Sequence, residues 1–125
     1  AELERKTVVN GSIKPEVFYK VAEKQRNNEE FKAAIKTFSR AINANPNYAE
    51  AYYKRGKCHA KLKNYQAALD DFSKNIDLNS KNPSAYRDRA VCKRFIGDWD
   101  FCDDFKIACD LGDRRSCSDY ESSCK

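Results

Sequence analysis

Apolar residues run along the chain with two superimposed periods. Over the short one, Phe31, Ala34, Ile35, Phe38, Ala41 and Ile42 are separated by steps of three, one, three, three and one, the signature of an α-helix with one dry face. Phe18, Val21, Ala22 and Gln25 form a stripe ahead of them, and Asn27-Asn28 separates the two. Over the long period, residues 15–48 return thirty-four positions later as 49–82. Tyr19 falls on Tyr53, Phe31 on Tyr65, Ala34 on Ala68, Phe38 on Phe72 and Ile42 on Ile76. Matches confined to apolar or small residues at helical spacing predict hairpins of two helices that stack, because no hairpin can bury its apolar face without a neighbour.

Polar and proline punctuation sets the bounds. Pro15 and Pro83 each suit the first turn of a helix, where a missing N–H costs nothing. Asn45-Pro46-Asn47 and Asn79-Ser80-Lys81-Asn82 stop the helices before them. The expected hairpins are 15–48, 49–82 and 83–113, the third turning at Gly97-Asp98, with Trp99 starting its second helix and Gly112 capping it. A last helix is expected over 114–125. Residues 1–14 form a polar extension broken by Val8, Val9 and Ile13, with a turn signal at Asn10-Gly11-Ser12 and no secretory h-region. With no Met in the chain, Ala1 is not read as an initiator, and a leader could have been removed.

At these positions the chain resembles the tetratricopeptide repeat family. The second unit matches best, with Gly56 at the small position of close helix approach, Ala68 facing it, and Tyr53, Tyr65 and Phe72 at the aromatic positions. The first keeps Ala22, Ala34, Phe38, Ala41 and Pro46. The third keeps Tyr86, Ala90 and Gly97-Asp98-Trp99, but carries Cys102 and Cys109 where alanines are expected. The resemblance implies an all-α stack of three hairpins in a short right-handed superhelix. It implies a non-catalytic protein-interaction scaffold, with the first helix of each hairpin lining a concave groove.

Carried onto this sequence, the groove positions are Glu16, Tyr19, Glu23, Arg26 and Asn27, then Glu50, Tyr53, Lys57, Ala60 and Lys61, then Ser84, Arg87, Val91, Arg94 and Phe95. Repeats 2 and 3 thus present Lys57, Lys61, Arg87 and Arg94 around Tyr53 and Phe95, which suits an extended acidic segment. A solvated face with no partner is the plain alternative. Members that clamp chaperone tails use lysine, asparagine and arginine. The matching positions here are Tyr19, Glu23, Lys54, Ser84 and Asp88, so such tails are not expected.

Cys102, Cys109, Cys117 and Cys124 are separated by six, seven and six residues. If the third hairpin's second helix and the last helix run antiparallel, Cys109 meets Cys117 near the turn and Cys102 meets Cys124 further out. The last helix has only Cys117, Tyr120 and Cys124 for an inner face, so cross-links would make it a stapled cap. Buried reduced thiols, or a Cys92–Cys102 bridge, are the alternatives. The inner pair resembles the inter-repeat joint of Sel1-like proteins. Cys58 and Cys92 occupy the same place in successive helices and are read as free and buried.

Composition narrows the function. Apolar content of 41% is ordinary for a globular chain, while 34% charged residues suits an elongated body. The net charge of +5 leaves nucleic acid as a second partner class, without a recognised motif to support it. No C-x-x-C, phosphate loop or metal spacing is present, so neither a cofactor nor a metal is expected. His59 beside Cys58 points about 100° away on a helix, a poor nucleophile–base geometry. The pairs Asp70-Asp71 and Asp103-Asp104 are read as solvated faces. Oxidised cysteines would place the protein in the periplasm or outside the cell, and reduced ones in the cytoplasm. No apolar run long enough for membrane insertion occurs.

Overall fold

The computed structural model describes residues 8–9 and 12–124. Seven helices follow one another among these residues: α1 (Pro15–Asn27), α2 (Phe31–Ala44), α3 (Ala49–Lys61), α4 (Tyr65–Leu78), α5 (Pro83–Ile96), α6 (Phe101–Asp110) and α7 (Arg114–Cys124). Ahead of them, β1 (Val8–Val9) pairs antiparallel with β2 (Ser12–Ile13). The Asn10-Gly11 half of the expected turn lies outside the described residues. Each helix packs on its sequence neighbours, so the all-α hairpin stack is as expected, with Pro15 and Pro83 in first turns.

The core is a row of small residues and buried rings. Ala22, Ala34, Phe38, Ala41, Ala51, Ala68, Phe72, Ala85, Ala90, Phe105 and Ala108 are all at most 1% exposed. A fully buried Phe contributes roughly 1.5–3 kcal/mol, while the alanines let helix axes approach closely. Gly56 does the same for the second hairpin, although the surface it meets is not Ala68. An added Cβ would lie 2.8 Å from Phe72 Cε1 and 3.1 Å from Asp71 Cβ.

The turns inside the hairpins share one conformation. Glu29, Lys63 and Gly97 stand thirty-four residues apart and all adopt left-handed backbone, with φ of 61°, 63° and 80°. Only the third is glycine, the residue for which this region carries no Cβ penalty.

Two aspartates correct the solvated reading. Asp71 and Asp104 are buried, each gripped by an arginine of the preceding helix. Arg55 donates from Nε and Nη2 to Asp71 at 2.9 and 2.8 Å and from Nη1 to Ser39 Oγ at 3.0 Å. Arg89 repeats this on Asp104 at 2.9 and 2.8 Å and on Ser73 Oγ at 3.2 Å, with Lys93 Nζ a further 3.1 Å from Asp104. Asp70 and Asp103 are exposed as expected. The sequence signal was there: Ser39, Arg55 and Asp71 precede Ser73, Arg89 and Asp104 by 34, 34 and 33 residues.

That last interval exposes a change of register. The buried set Ala68, Asp71, Phe72 and Asn75 of α4 recurs in α6 as Phe101, Asp104, Phe105 and Ala108, one residue short of thirty-four. Trp99 therefore does not begin the helix. It lies in the turn at 82% exposure, and the helix starts at Phe101. One residue is about 100° of rotation, so Cys102 and Cys109 leave the alanine positions of the inner face and turn to α7.

There they bond as the spacing predicts. Cys102 pairs with Cys124 and Cys109 with Cys117, with Cα separations of 5.7 and 4.6 Å. No Cys92–Cys102 bridge forms, and Cys58 and Cys92 are free and buried, with burial pushing both thiols up to about 11. In α7 it is Ser116, assigned to the wet face by its polarity, that is fully buried. Its hydroxyl donates to Asp113 Oδ2 at 2.7 Å.

Candidate peptide groove

Between α3 and α5 lies an open cleft of about 280 Å³, lined by Lys57, Ala60, Lys61, Tyr65, Phe72, Arg87, Asp88, Val91, Cys92 and Phe95. Six of the expected groove positions, Lys57, Ala60, Lys61, Arg87, Val91 and Phe95, meet here. Each of α3 and α5 packs on α4 and hardly on the other, so Tyr65 and Phe72 of α4 line the gap between them. Phe95 is 63% exposed, yet its ring stacks on Tyr65 with centroids 4.4 Å apart and planes 4° from parallel. That pair is a flat, partly wet platform of the kind that accepts an extended chain.

Tyr53 reaches the cleft indirectly. Its hydroxyl donates to Asp88 Oδ2 at 2.8 Å and Lys57 Nζ stands 5.5 Å from its ring centroid. Burial chiefly, and then Asp88, push the phenol well above its ordinary value. Asp88 itself is raised by burial, against the Tyr53 hydrogen bond and the charges of Lys57 and Arg87. Tyr65 was missed from sequence as a groove feature because it lies off the positions that the repeat pattern assigns to ligand contact, and Asp88 was named only as a departure from the chaperone-tail clamp.

Not every expected cation is available. Arg87 pairs with Asp119 of α7 at 3.4 Å and lies 3.9 Å from Asp113. Arg94 lies beyond the cleft, its guanidinium 5.4 Å from the Phe101 ring centroid. Tyr19 belongs to a separate neighbourhood one repeat away, stacked on Tyr48 and donating to Glu50 Oε2 at 3.1 Å. Lys54, the lone cation of the clamp positions, lies 3.5 Å from Glu23. Lys57 and Lys61 thus carry most of the accessible positive charge of the groove.

The geometry offers no nucleophile–base pair at Cys58 and His59. The thiol is held neutral by burial, and the imidazole lies 3.8 Å from Asp71. Burial nonetheless keeps His59 below its ordinary value, the Asp71 charge opposing that shift. No group of three or more metal-ligating side chains occurs among the described residues, and no helix among them is long and apolar enough to cross a membrane.

A family model described as tetratricopeptide repeat matches residues 22–92, more than half of the sequence, and the chain belongs to that family. A comparison with curated proteins gives no match. Among solved structures, the crystal structure of MamA is similar with a TM-score of 0.76 and 25% identity, over 82% of this chain and 61% of that one. The chain therefore spans about three fifths of the MamA chain. The first repeat domain of Spaghetti (RPAP3), bound to the HSP90 peptide SRMEEVD, gives 0.82 at 17% identity over 87% and 89%. The type III secretion chaperone SycD of Yersinia enterocolitica, in complex with a peptide of the translocator YopD, gives 0.80 at 19% over 86% and 89%. The last two are likenesses of fold alone.

Proposed function

We propose that this chain is a non-catalytic interaction module that binds an extended, acidic peptide segment in the cleft between α3 and α5. The carrying observation is the Tyr65–Phe95 stack set beside Lys57 and Lys61. A flat apolar platform holds a backbone at low entropic cost, and the two lysines select carboxylates. Peptides bound to two proteins of the same fold support the reading. The disulfides favour an oxidising compartment, the periplasm or the cell exterior, and the Cys109–Cys117 link from the end of α6 to the start of α7 suits a Sel1-like joint.

Reversing Lys57 and Lys61 to Glu should abolish capture of the native partner with helical circular dichroism intact. Reversing Asp70 and Asp103 on the opposite face should leave capture unchanged; Asp104 is unsuitable as a control because it is buried. Loss of capture in the second variant alone would move the site to the convex face. A nucleic-acid ligand, the reading that the net charge of +5 favours, would show an affinity falling steeply with salt and displacement of the partner by a single-stranded oligonucleotide.

A further inference from the structure

Repeat logic leaves one aromatic residue without its counterpart. Tyr65, at the start of α4, stacks on Phe95 at the end of the next hairpin's first helix. Trp99 stands thirty-four residues beyond Tyr65, yet it has no such stack: the ring beside it is Phe101, tilted by 47° at 6.1 Å. The register change that put Phe101 into the core left the indole outside at 82% exposure, shortly after Phe95 and Ile96 in the chain, themselves at 63% and 42%. Large apolar side chains left exposed so close together in the chain, one of them Trp, mark a contact surface.

The cluster is joined to the groove. Val91 and Phe95 line both the cleft described above and a second of about 370 Å³, which also includes Arg94. Arg94 in turn lines a third, of about 410 Å³, with Gly97, Asp98, Trp99, Phe101 and Ser123. One track therefore runs from Lys57 and Lys61 over the end of α5 to the indole. Its far wall is Ser123, held in place by the neighbouring Cys102–Cys124 bond.

We propose that the ligand continues along this track and that specificity lies in a large apolar side chain, aromatic or aliphatic, that packs on Trp99 next to Arg94. The inference rests on the groove reading and adds an anchor to it: the partner segment is an acidic stretch flanked by a large apolar residue. A folded track suits a single extended chain. An anionic bilayer is a poor occupant because Asp98 and Asp100 flank the indole.

The test uses synthetic peptides: an acidic block alone, and the same block extended at either end by a Leu-Phe pair. At least one extended peptide should bind about fivefold or more tightly than the block, with a blue shift of the emission of Trp99, the sole Trp. Trp99→Ala should erase the advantage and leave binding of the block unchanged. Equal affinities, indifferent to Trp99→Ala, would overturn the anchor and leave the groove standing, whereas no binding of any peptide would overturn both. A dimer in sedimentation that Trp99→Ala dissociates would make a second copy the occupant, and Trp99-dependent binding to phosphatidylserine vesicles would make it a lipid surface. Either result overturns the proposal.

Discussion

In α3 and α4 the helices meet backbone against ring: Gly56 leaves room for no side chain above Phe72, and five residues of α4 are buried. In α6 and α7, by contrast, the terminal helix buries only Ser116 completely and is tied down by two disulfides. Both pairs must hold two helices antiparallel. Where the sequence supplies small residues at the crossing, shape is sufficient; where it supplies serines and charges, covalent links replace the missing apolar area.

The largest expected effect tests what the two regions share. Asp104→Ala strands Arg89 and Lys93, and Asp71→Ala strands Arg55, so each should lower stability by about 3–5 kcal/mol, Asp104→Ala the more because two cations lose their partner. Urea unfolding measures both, and a cost near zero for either would mean that water reaches the pair. Next comes the contrast. Replacing Cys102 and Cys124 by Ser should cost about 2–4 kcal/mol and speed amide exchange in α7 while α3 and α4 stay protected. Intact mass should rise by four hydrogens on full reduction of the native protein, with Cys58 and Cys92 alkylated only on unfolding. The smallest effect lies in the turns: Lys63→Gly should stabilise by up to about 1 kcal/mol, because a left-handed Lys is strained, and Gly97→Ala should destabilise by a similar amount.

The stack was legible because burial repeats with a fixed period, and Ala34, Phe38, Ala68 and Phe72 announce it directly. The nested bridges were legible as well, since their spacing is symmetric on helices already placed. What escaped was whatever breaks the period or hides behind charge. The loss of one residue before Phe101 moved Trp99 out of the helix. Asp71 and Asp104 look solvated to any reading of polarity alone, and only the arginines one helix away show otherwise. At the groove, Lys57, Lys61, Arg87 and Phe95, which the register put on one face, line one cleft. The register was silent on the salt bridge that occupies Arg87, because Asp119 belongs to the cap rather than to a repeat.

The arginine linkage has a consequence for how the stack comes apart. Arg55 clasps Ser39 of the hairpin before it and Asp71 of its own, and Arg89 does the same with Ser73 and Asp104, so each guanidinium spans a boundary between units. Opening one boundary breaks the guanidinium's bond to the serine hydroxyl of the preceding unit and leaves the arginine–aspartate pair intact within its own. The bond adds roughly 1.5–3 kcal/mol to the nearest-neighbour term, which favours adjacent hairpins unfolding together over fraying one by one. The clasp ends at α6: Tyr120 occupies in α7 the seventh position that Arg55 and Arg89 hold in α3 and α5. The last helix therefore lies outside the clasp and is held by its disulfides and by Arg87 instead.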